Sequence, residues 1–182
     1  MHAIRFCVAL VFVMGFSSSS EASEPRGEVE AEQYTQELSR SEERAIIRAV
    51  EGYAKGFVQE DIRLLLDLWD DRNARKVSYV AAELDQPIVG RSNLRPYYQS
   101  FLDTLIVVSG DISNVQISPL RDDLVHVFCN YNWVYQVRSG GNILTQQTRA
   151  TFVLQKRGGR WLYEHFHESI SFDYEPPTAA AR

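Results

Sequence analysis

Apolar residues recur at helical spacing after Ser39. Ser39-Arg40-Ser41-Glu42 has the form of a capping box, in which the Ser and Glu side chains satisfy backbone amides at a helix start. Asp61 is placed to cap a second, shorter helix. Apolar positions three or four residues apart predict that both helices are amphipathic. These positions are Ile46, Ile47, Val50, Tyr53, Ala54 and Phe57 in the first helix and Ile62, Leu65, Leu66 and Trp69 in the second.

A third helix is predicted beyond the turn residues Asp85-Gln86-Pro87 and Gly90, with Ser92 as its cap. Pro96 is compatible with this helix because it falls in the first turn, where its missing N–H is not needed. The apolar positions are Leu94, Tyr97, Tyr98, Phe101, Leu102 and Leu105.

The pattern changes to strands after the third helix. Alternating apolar and polar residues, separated by glycine-containing turns, predict a meander of long antiparallel strands. Helices followed by such a meander indicate an α+β fold, with the helices packed on one face of a curved antiparallel sheet. The predicted strands are Val77–Ala82, Ile112–Ile117, Leu124–Arg138, Ile143–Lys156 and Arg160–Phe172.

The last two hairpins predict a row of polar side chains across the sheet. A two-residue loop at Gly158-Gly159 places Arg157 opposite Arg160 and, by counting back, Arg149 opposite Glu168. The turn at residues 139–142 places Asn132 opposite Arg149. By the same count, His165 and His167 lie on the other face, opposite Phe152 and Ala150.

The row Asn132–Arg149–Glu168 has two interpretations. It could be an exposed ion pair, worth about 0–1 kcal/mol. It could instead form the floor of a pocket in which Arg149 presents its donors to a carboxylate or carbonyl group. In that pocket Glu168 would hold Arg149 in place or compete with an anionic ligand.

The N-terminal residues have the order of an export signal. A short basic stretch, an apolar run and small residues ending in Ser20-Glu21-Ala22 predict a cleaved signal peptide over residues 1–22. A retained membrane anchor is the alternative, but the apolar run is short for a span of about 20 residues. The signal predicts a secreted or periplasmic protein with no membrane attachment after cleavage. Residues 23–38 are interpreted as an acidic linker, residues 39–172 as one domain and residues 173–182 as a flexible tail.

Cleavage would leave Cys129 as the single cysteine, so no internal disulfide can form. Cys129 lies in an apolar alternating run, which favours a buried structural thiol; a nucleophilic thiol near His165 is the alternative. The net charge of −5, without a basic stripe, disfavours nucleic acid as a partner. His165 and His167 lack a third metal ligand. We therefore expect neither a metal nor a cofactor.

The region from about Ser39 to Ser171 resembles the nuclear transport factor 2-like superfamily, in its SnoaL-like branch. The resemblance is carried by the order of elements, by Gly90-Arg91-Ser92-Asn93-Leu94 at the third helix and by the C-terminal hairpin. That hairpin resembles the association domain of calcium/calmodulin-dependent kinase, whose pocket arginine matches Arg149 and which has arginine where this chain has Glu168. The resemblance implies a cone-like sheet around a helix (a cystatin-like α+β roll), a cavity at its open end, and dimers or larger assemblies formed through the sheet.

Enzymes of this superfamily, such as ketosteroid isomerase, scytalone dehydratase and polyketide cyclases, use a carboxylate or histidine base with tyrosine donors. Tyr53 resembles the isomerase's oxyanion tyrosine in placement, and no residue matches its base aspartate. The catalytic candidates are Glu164, Glu168 and Tyr53, and the ligand-binding candidates are Arg149, Asn132, Glu168, Tyr53 and Tyr98.

Three functions are compatible with the sequence. The first, which we expect, is an exported, dimeric, non-catalytic domain that binds a small molecule. The second is an isomerase, cyclase or dehydratase that transfers a proton on a carbonyl compound. The third is a protein-interaction or immunity-type module. A carboxylate of raised pKa in a closed apolar cavity would favour the enzyme, an ion-paired Glu168 the binder, and an exposed apolar patch without a cavity the interaction module.

Overall fold

The computed structural model describes residues 37–171. The predicted signal peptide, the linker up to residue 36 and the predicted tail lie outside the described residues. Within residues 37–171, no helix is both long and apolar enough to cross a membrane.

The first two helices begin where their caps predict. Helix α1 spans Arg40–Val58, and both bonds of its capping box are present between Ser39 and Glu42. Helix α2 spans Ile62–Asp67, and the Asp61 carboxylate accepts a hydrogen bond from the Leu64 amide at 2.9 Å. One face of α1 is buried against the sheet, as the apolar spacing predicts.

The third helix, α3, spans Leu94–Thr104 and is not capped by Ser92. Ser92 lies in a 3₁₀ turn, Arg91–Asn93, that follows Gly90 at φ 89°. The Arg91 guanidinium anchors this turn by donating two hydrogen bonds to the Leu66 carbonyl, at 3.1 and 3.0 Å. The predicted cap was therefore wrong, because Ser92 lies inside the 3₁₀ turn and Asn93 occupies the cap position of α3.

In the described part of the chain, six strands form one curved, open sheet in the order β2-β1-β6-β5-β4-β3. All neighbouring strands are antiparallel except β1 and β6, which are parallel. The core lies between the inner face of the sheet and the helices, and the predicted α+β class is confirmed. The strands are β1 Ser78–Val80, β2 Ile88–Val89, β3 Leu105–Arg121, β4 Leu124–Val137, β5 Ile143–Arg157 and β6 Arg160–Ile170.

The β5–β6 pairing follows the predicted register only near the turn. Arg157 pairs with Arg160 and Leu154 with Tyr163, but Val153 pairs with His165. Glu164 is therefore an extra residue on β6, a β-bulge that shifts the rest of the strand by one position.

The bulge reverses the predicted faces of the end of β6. Arg149 pairs with Ser169 rather than with Glu168, and Glu168 pairs with Ala150 on the inner face. His165 and His167 pair with Val153 and Thr151 instead of Phe152 and Ala150, which places both histidines on the outer face.

The bulge coincides with a change of partner on the other edge of β6. Tyr163 exchanges backbone hydrogen bonds with the segment from Leu68 to Asp70, at 2.7 and 3.0 Å, and His165 is the first residue of β6 that pairs with β1. The Glu164 carboxylate accepts a hydrogen bond from Asn73 at 3.2 Å and lies 3.7 Å from the Arg157 guanidinium. Glu164 thus lies at the point where β6 changes its partner from the segment Leu68–Asp70 to strand β1.

The β4–β5 register also differs, by two residues. Asn132 pairs with Gln147, and Asn130 rather than Asn132 lies opposite Arg149. The last pair before the turn is Gln136–Ile143, so the connection is wider than the predicted loop at residues 139–142. A shift of two residues preserves the faces, and Asn132 and Arg149 share the outer face.

Gly110 permits β3 to pack closely on the core. A Cβ at this position would overlap the Trp133 ring and lie 2.9 Å from the Ala54 Cβ. Gly110→Ala should therefore lower the free energy of unfolding by about 1–3 kcal/mol in urea denaturation. Ser118→Ala, at an exposed position of the same strand, is the control. Equal stability of the two variants would contradict this packing.

Candidate active site

A cavity of about 380 Å³ lies between the helices and the inner face of the sheet. Aromatic side chains form much of its wall, and among residues 37–171 the only charged residues that line it are the two carboxylates Glu83 and Glu168. A volume of this size is typical of small-molecule sites. The lining residues are Tyr53, Phe57, Tyr79, Ala81, Ala82, Glu83, Tyr97, Ser100, Phe101, Thr104, Leu105, Val107, Trp133, Tyr135, Gln146, Thr148 and Glu168.

Glu168 is a buried carboxyl group in this cavity, with 7% of its surface exposed. One of its oxygens, Oε1, accepts hydrogen bonds from the Thr148 hydroxyl and, at 2.8 Å, from the Trp133 indole N–H. Oε2 has no hydrogen-bond partner within residues 37–171, and no cation in that range forms an ion pair with Glu168. Burial raises the pKa of Glu168, and the two hydrogen bonds oppose this shift only in part.

Tyr53 reaches the same cavity from α1. Its hydroxyl lies 2.7 Å from the Tyr79 hydroxyl, which in turn donates to the Tyr97 hydroxyl at 3.3 Å. Tyr97 donates to the Glu83 carboxylate. Burial raises the pKa of Tyr53, and the negative charge of Glu168 raises it further. The cavity wall therefore carries the tyrosine hydroxyl groups together with the Glu168 carboxyl group, whose pKa is raised.

Two of the predicted ligand-binding residues lie outside the cavity on the outer face. Arg149 is exposed. Asn132 is also exposed, and its side-chain oxygen accepts a hydrogen bond from Gln147 at 3.3 Å. The predicted row Asn132–Arg149–Glu168 does not form, because the bulge turns Glu168 to the opposite face from Arg149.

Two further candidates are held in structural contacts. Tyr98 is fully buried, its hydroxyl accepts a hydrogen bond from Trp69 at 3.0 Å, and it does not line the cavity. Glu164 is the bulge residue and is bound by Asn73 and Arg157. Of the sequence candidates, the structure brings only Glu168 and Tyr53 into the cavity.

Sequence reasoning missed Trp133, Thr148 and Glu83 as site residues. Trp133 and Thr148 were assigned no site role because the predicted register put Glu168 on the opposite face from Trp133. A signal was present in the spacing of apolar residues: Tyr163 and Phe166 are both buried but three residues apart, which breaks the period of two. Such a break indicates a bulge.

The other reactive side chains within residues 37–171 do not assemble into a second site. Cys129 is buried, as predicted, and burial raises the pKa of its thiol to about 12. His165 lies on the outer face, 2.7 Å from the Ser78 hydroxyl, and burial lowers its pKa. In the described part of the chain, no three metal-ligating side chains come together.

Comparison with known proteins identifies the sequence family. A sequence model described as the SnoaL-like domain matches residues 46–173. A comparison with curated protein sequences finds no significant match.

Solved structures of the same fold agree with this assignment. A proposed dehydratase of the nuclear transport factor 2-like family from Streptomyces avermitilis is 18% identical, with a TM-score of 0.63 over 74% of this chain and 100% of that chain. A ketosteroid isomerase-like protein from Erwinia carotovora atroseptica is 17% identical, with a TM-score of 0.61 over 74% and 100%. A proposed calcium/calmodulin-dependent protein kinase II association domain from Xanthomonas campestris is 21% identical, with a TM-score of 0.59 over 74% and 89%. At these identities, the likeness shows the fold.

The raised pKa of Glu168 predicts a pH-dependent cost to stability. Ionisation is less favourable in the folded state than in the unfolded chain, so the protonated form stabilises the fold. That stabilisation is lost as the pH rises above the ordinary value of 4.5 and through the raised pKa. The side chain of Glu168→Gln stays neutral and can still accept both hydrogen bonds. The melting temperature of the variant relative to wild type should therefore increase between about pH 5 and about pH 8.

Glu43→Gln is the control for this measurement, because Glu43 is exposed on α1. A difference between Glu168→Gln and wild type that stays constant with pH would contradict the raised pKa.

Proposed function

Because the chain belongs to the SnoaL-like domain family, we propose that it is an enzyme that transfers a proton on a small neutral ring compound, with Glu168 as the general base and acid. One observation carries the proposal: a buried carboxyl group of raised pKa, without a cationic partner among residues 37–171, lines an aromatic cavity. This arrangement favours the enzyme over the non-catalytic binder expected from the sequence, which requires an ion-paired Glu168.

The charge of the lining favours a neutral substrate. Glu83 and Glu168 are both acidic, and no Lys, Arg or His of the described segment lines the cavity. An anionic ligand would therefore meet like charge without a compensating cation. Aromatic side chains on several sides, among them Phe57, Phe101 and Trp133, favour a flat ring.

The hydrogen bonds around Glu168 suit proton transfer. Thr148 and Trp133 hold Oε1, which fixes the carboxyl plane and leaves Oε2 for the substrate. In the ionised form, Oε2 takes a proton from the carbon next to a carbonyl group, and the C–H electron pair moves into the resulting enolate. Glu168 then returns the proton to the same or another atom. Near neutral pH, a carboxyl group of raised pKa accepts a proton more readily than an ordinary carboxylate does and can still return it.

Deuterium exchange tests this proposal directly. In D₂O near neutral pH, the wild-type protein should accelerate exchange of the α-protons of 1-indanone, a neutral bicyclic ketone, followed by mass spectrometry. Glu168→Gln should reduce the protein-dependent rate by at least about 100-fold, because the amide cannot accept the proton.

Arg149→Ala is the matched control, since Arg149 is exposed on the outer face, and it should retain the wild-type rate. Binding of 1-indanone by the wild-type protein without any exchange would overturn the enzyme and favour the non-catalytic binder. An equal loss of exchange rate in Glu168→Gln and Arg149→Ala would show that the activity does not depend specifically on Glu168.

We also propose that two copies associate through the outer face of the sheet. This face carries Phe128, Val134 and Val153, which are only partly exposed in the single chain. Light scattering of the chain without residues 1–22 should give a dimer, and Val153→Glu should give a monomer because it places a charge among these apolar side chains. Arg48→Glu, on the exposed side of α1, is the control. A monomeric wild-type protein would refute the association.

A further inference from the structure

A chain of hydrogen bonds connects the cavity wall to Glu83. It runs through three phenols, Tyr53, Tyr79 and Tyr97, which all line the cavity together with Glu83. The Tyr53–Tyr79 distance is 2.7 Å and the Tyr79–Tyr97 distance is 3.3 Å, and Tyr97 contacts Glu83 directly. Tyr53 and Tyr79 are almost fully buried, whereas Glu83 is exposed.

The direction of this chain follows from counting protons. An ionised carboxylate only accepts hydrogen bonds, so the single hydroxyl proton of Tyr97 is donated to Glu83. The proton of Tyr79 is donated to Tyr97. The bond between Tyr53 and Tyr79 must then use the proton of Tyr53, because Tyr79 has no second one.

We infer that Glu83 is a specificity-determining residue, which orients the three phenols so that Tyr53 accepts a hydrogen bond from a ligand hydroxyl instead of donating one to a ligand carbonyl. The Tyr53 hydroxyl proton is already used towards Tyr79, and its oxygen has a lone pair left for the cavity. Among the neutral ring compounds of the proposed function, those that carry a hydroxyl group in addition to the carbonyl group are thereby favoured. The inference rests on the proposed function only in taking this cavity as the ligand site, and it requires no turnover.

Glu83→Gln replaces one carboxylate oxygen by an amide NH₂ group, which can donate a hydrogen bond. The amide can donate to Tyr97, after which Tyr97 can donate to Tyr79, Tyr79 to Tyr53, and Tyr53 into the cavity. The variant should therefore bind a ligand carbonyl better than the wild-type protein does. Tyr97→Phe cuts the chain between Glu83 and Tyr79 and should also weaken the preference for a hydroxyl.

The test uses a matched pair of probes, 1-indanol and 1-indanone, which share a carbon skeleton and differ in the oxygen group. Calorimetric Kd values should show wild type binding the alcohol about fivefold tighter than the ketone, the worth of one hydrogen bond. In Glu83→Gln this ratio should fall about fivefold or invert. Asp85→Asn removes an exposed carboxylate from the same loop and should leave the ratio unchanged.

An unchanged ratio in Glu83→Gln would overturn the inference, and so would a wild-type protein that binds neither probe. A changed ratio in a protein that exchanges no α-protons would support the role of Glu83 and refute the proposed enzyme. A wild-type ratio in Glu83→Gln, combined with Glu168-dependent exchange, would support the enzyme and refute the role of Glu83.

Discussion

Strands β5 and β6 change register at Glu164, and the position of Glu168 depends on that single extra residue. Before the bulge Leu154 pairs with Tyr163, and after it Phe152 pairs with Phe166. Tyr163, Phe166 and Glu168 consequently all point to the inner face, although Tyr163 and Phe166 are an odd number of residues apart. Without the extra residue, Glu168 would lie on the outer face and the cavity would lose its buried carboxyl group.

The fold tolerates the buried carboxyl group of Glu168 because one of its two oxygens accepts hydrogen bonds. Thr148 and Trp133 both donate to Oε1, which offsets part of the desolvation, while Oε2 is left without a partner among the described residues. A guanidinium beside Glu168 would oppose the rise in its pKa and would not suit the proton transfer that we propose for this residue. The bulge turns Glu168 to the inner face while Arg149 stays on the outer face. The register of the sheet therefore determines that Glu168 lies in the cavity without the guanidinium of Arg149 beside it.

Local signals in the sequence predict the features that local interactions determine. The capping box at Ser39, the Asp61 cap and the Gly158-Gly159 turn all form as predicted, since each involves residues within a few positions of one another. The bulge instead lies beside a long-range contact, in which the segment from Leu68 to Asp70 forms backbone hydrogen bonds with Tyr163. Counting from the Gly158-Gly159 turn therefore makes Glu168 a candidate but assigns it to the wrong face, and Tyr53 is a candidate through the family resemblance.

Cross-strand nuclear Overhauser effects between β5 and β6 test the position of the bulge most directly. In antiparallel strands, close contacts between Hα atoms occur at the directly opposed, non-hydrogen-bonded pairs. The structure predicts these contacts for Ala150 with Glu168 or for Thr151 with His167, depending on which pair is non-hydrogen-bonded. Contacts of Ala150 with His167 or of Thr151 with Phe166 would show an unbroken register, and the inward-facing Glu168 on which the account depends would be refuted.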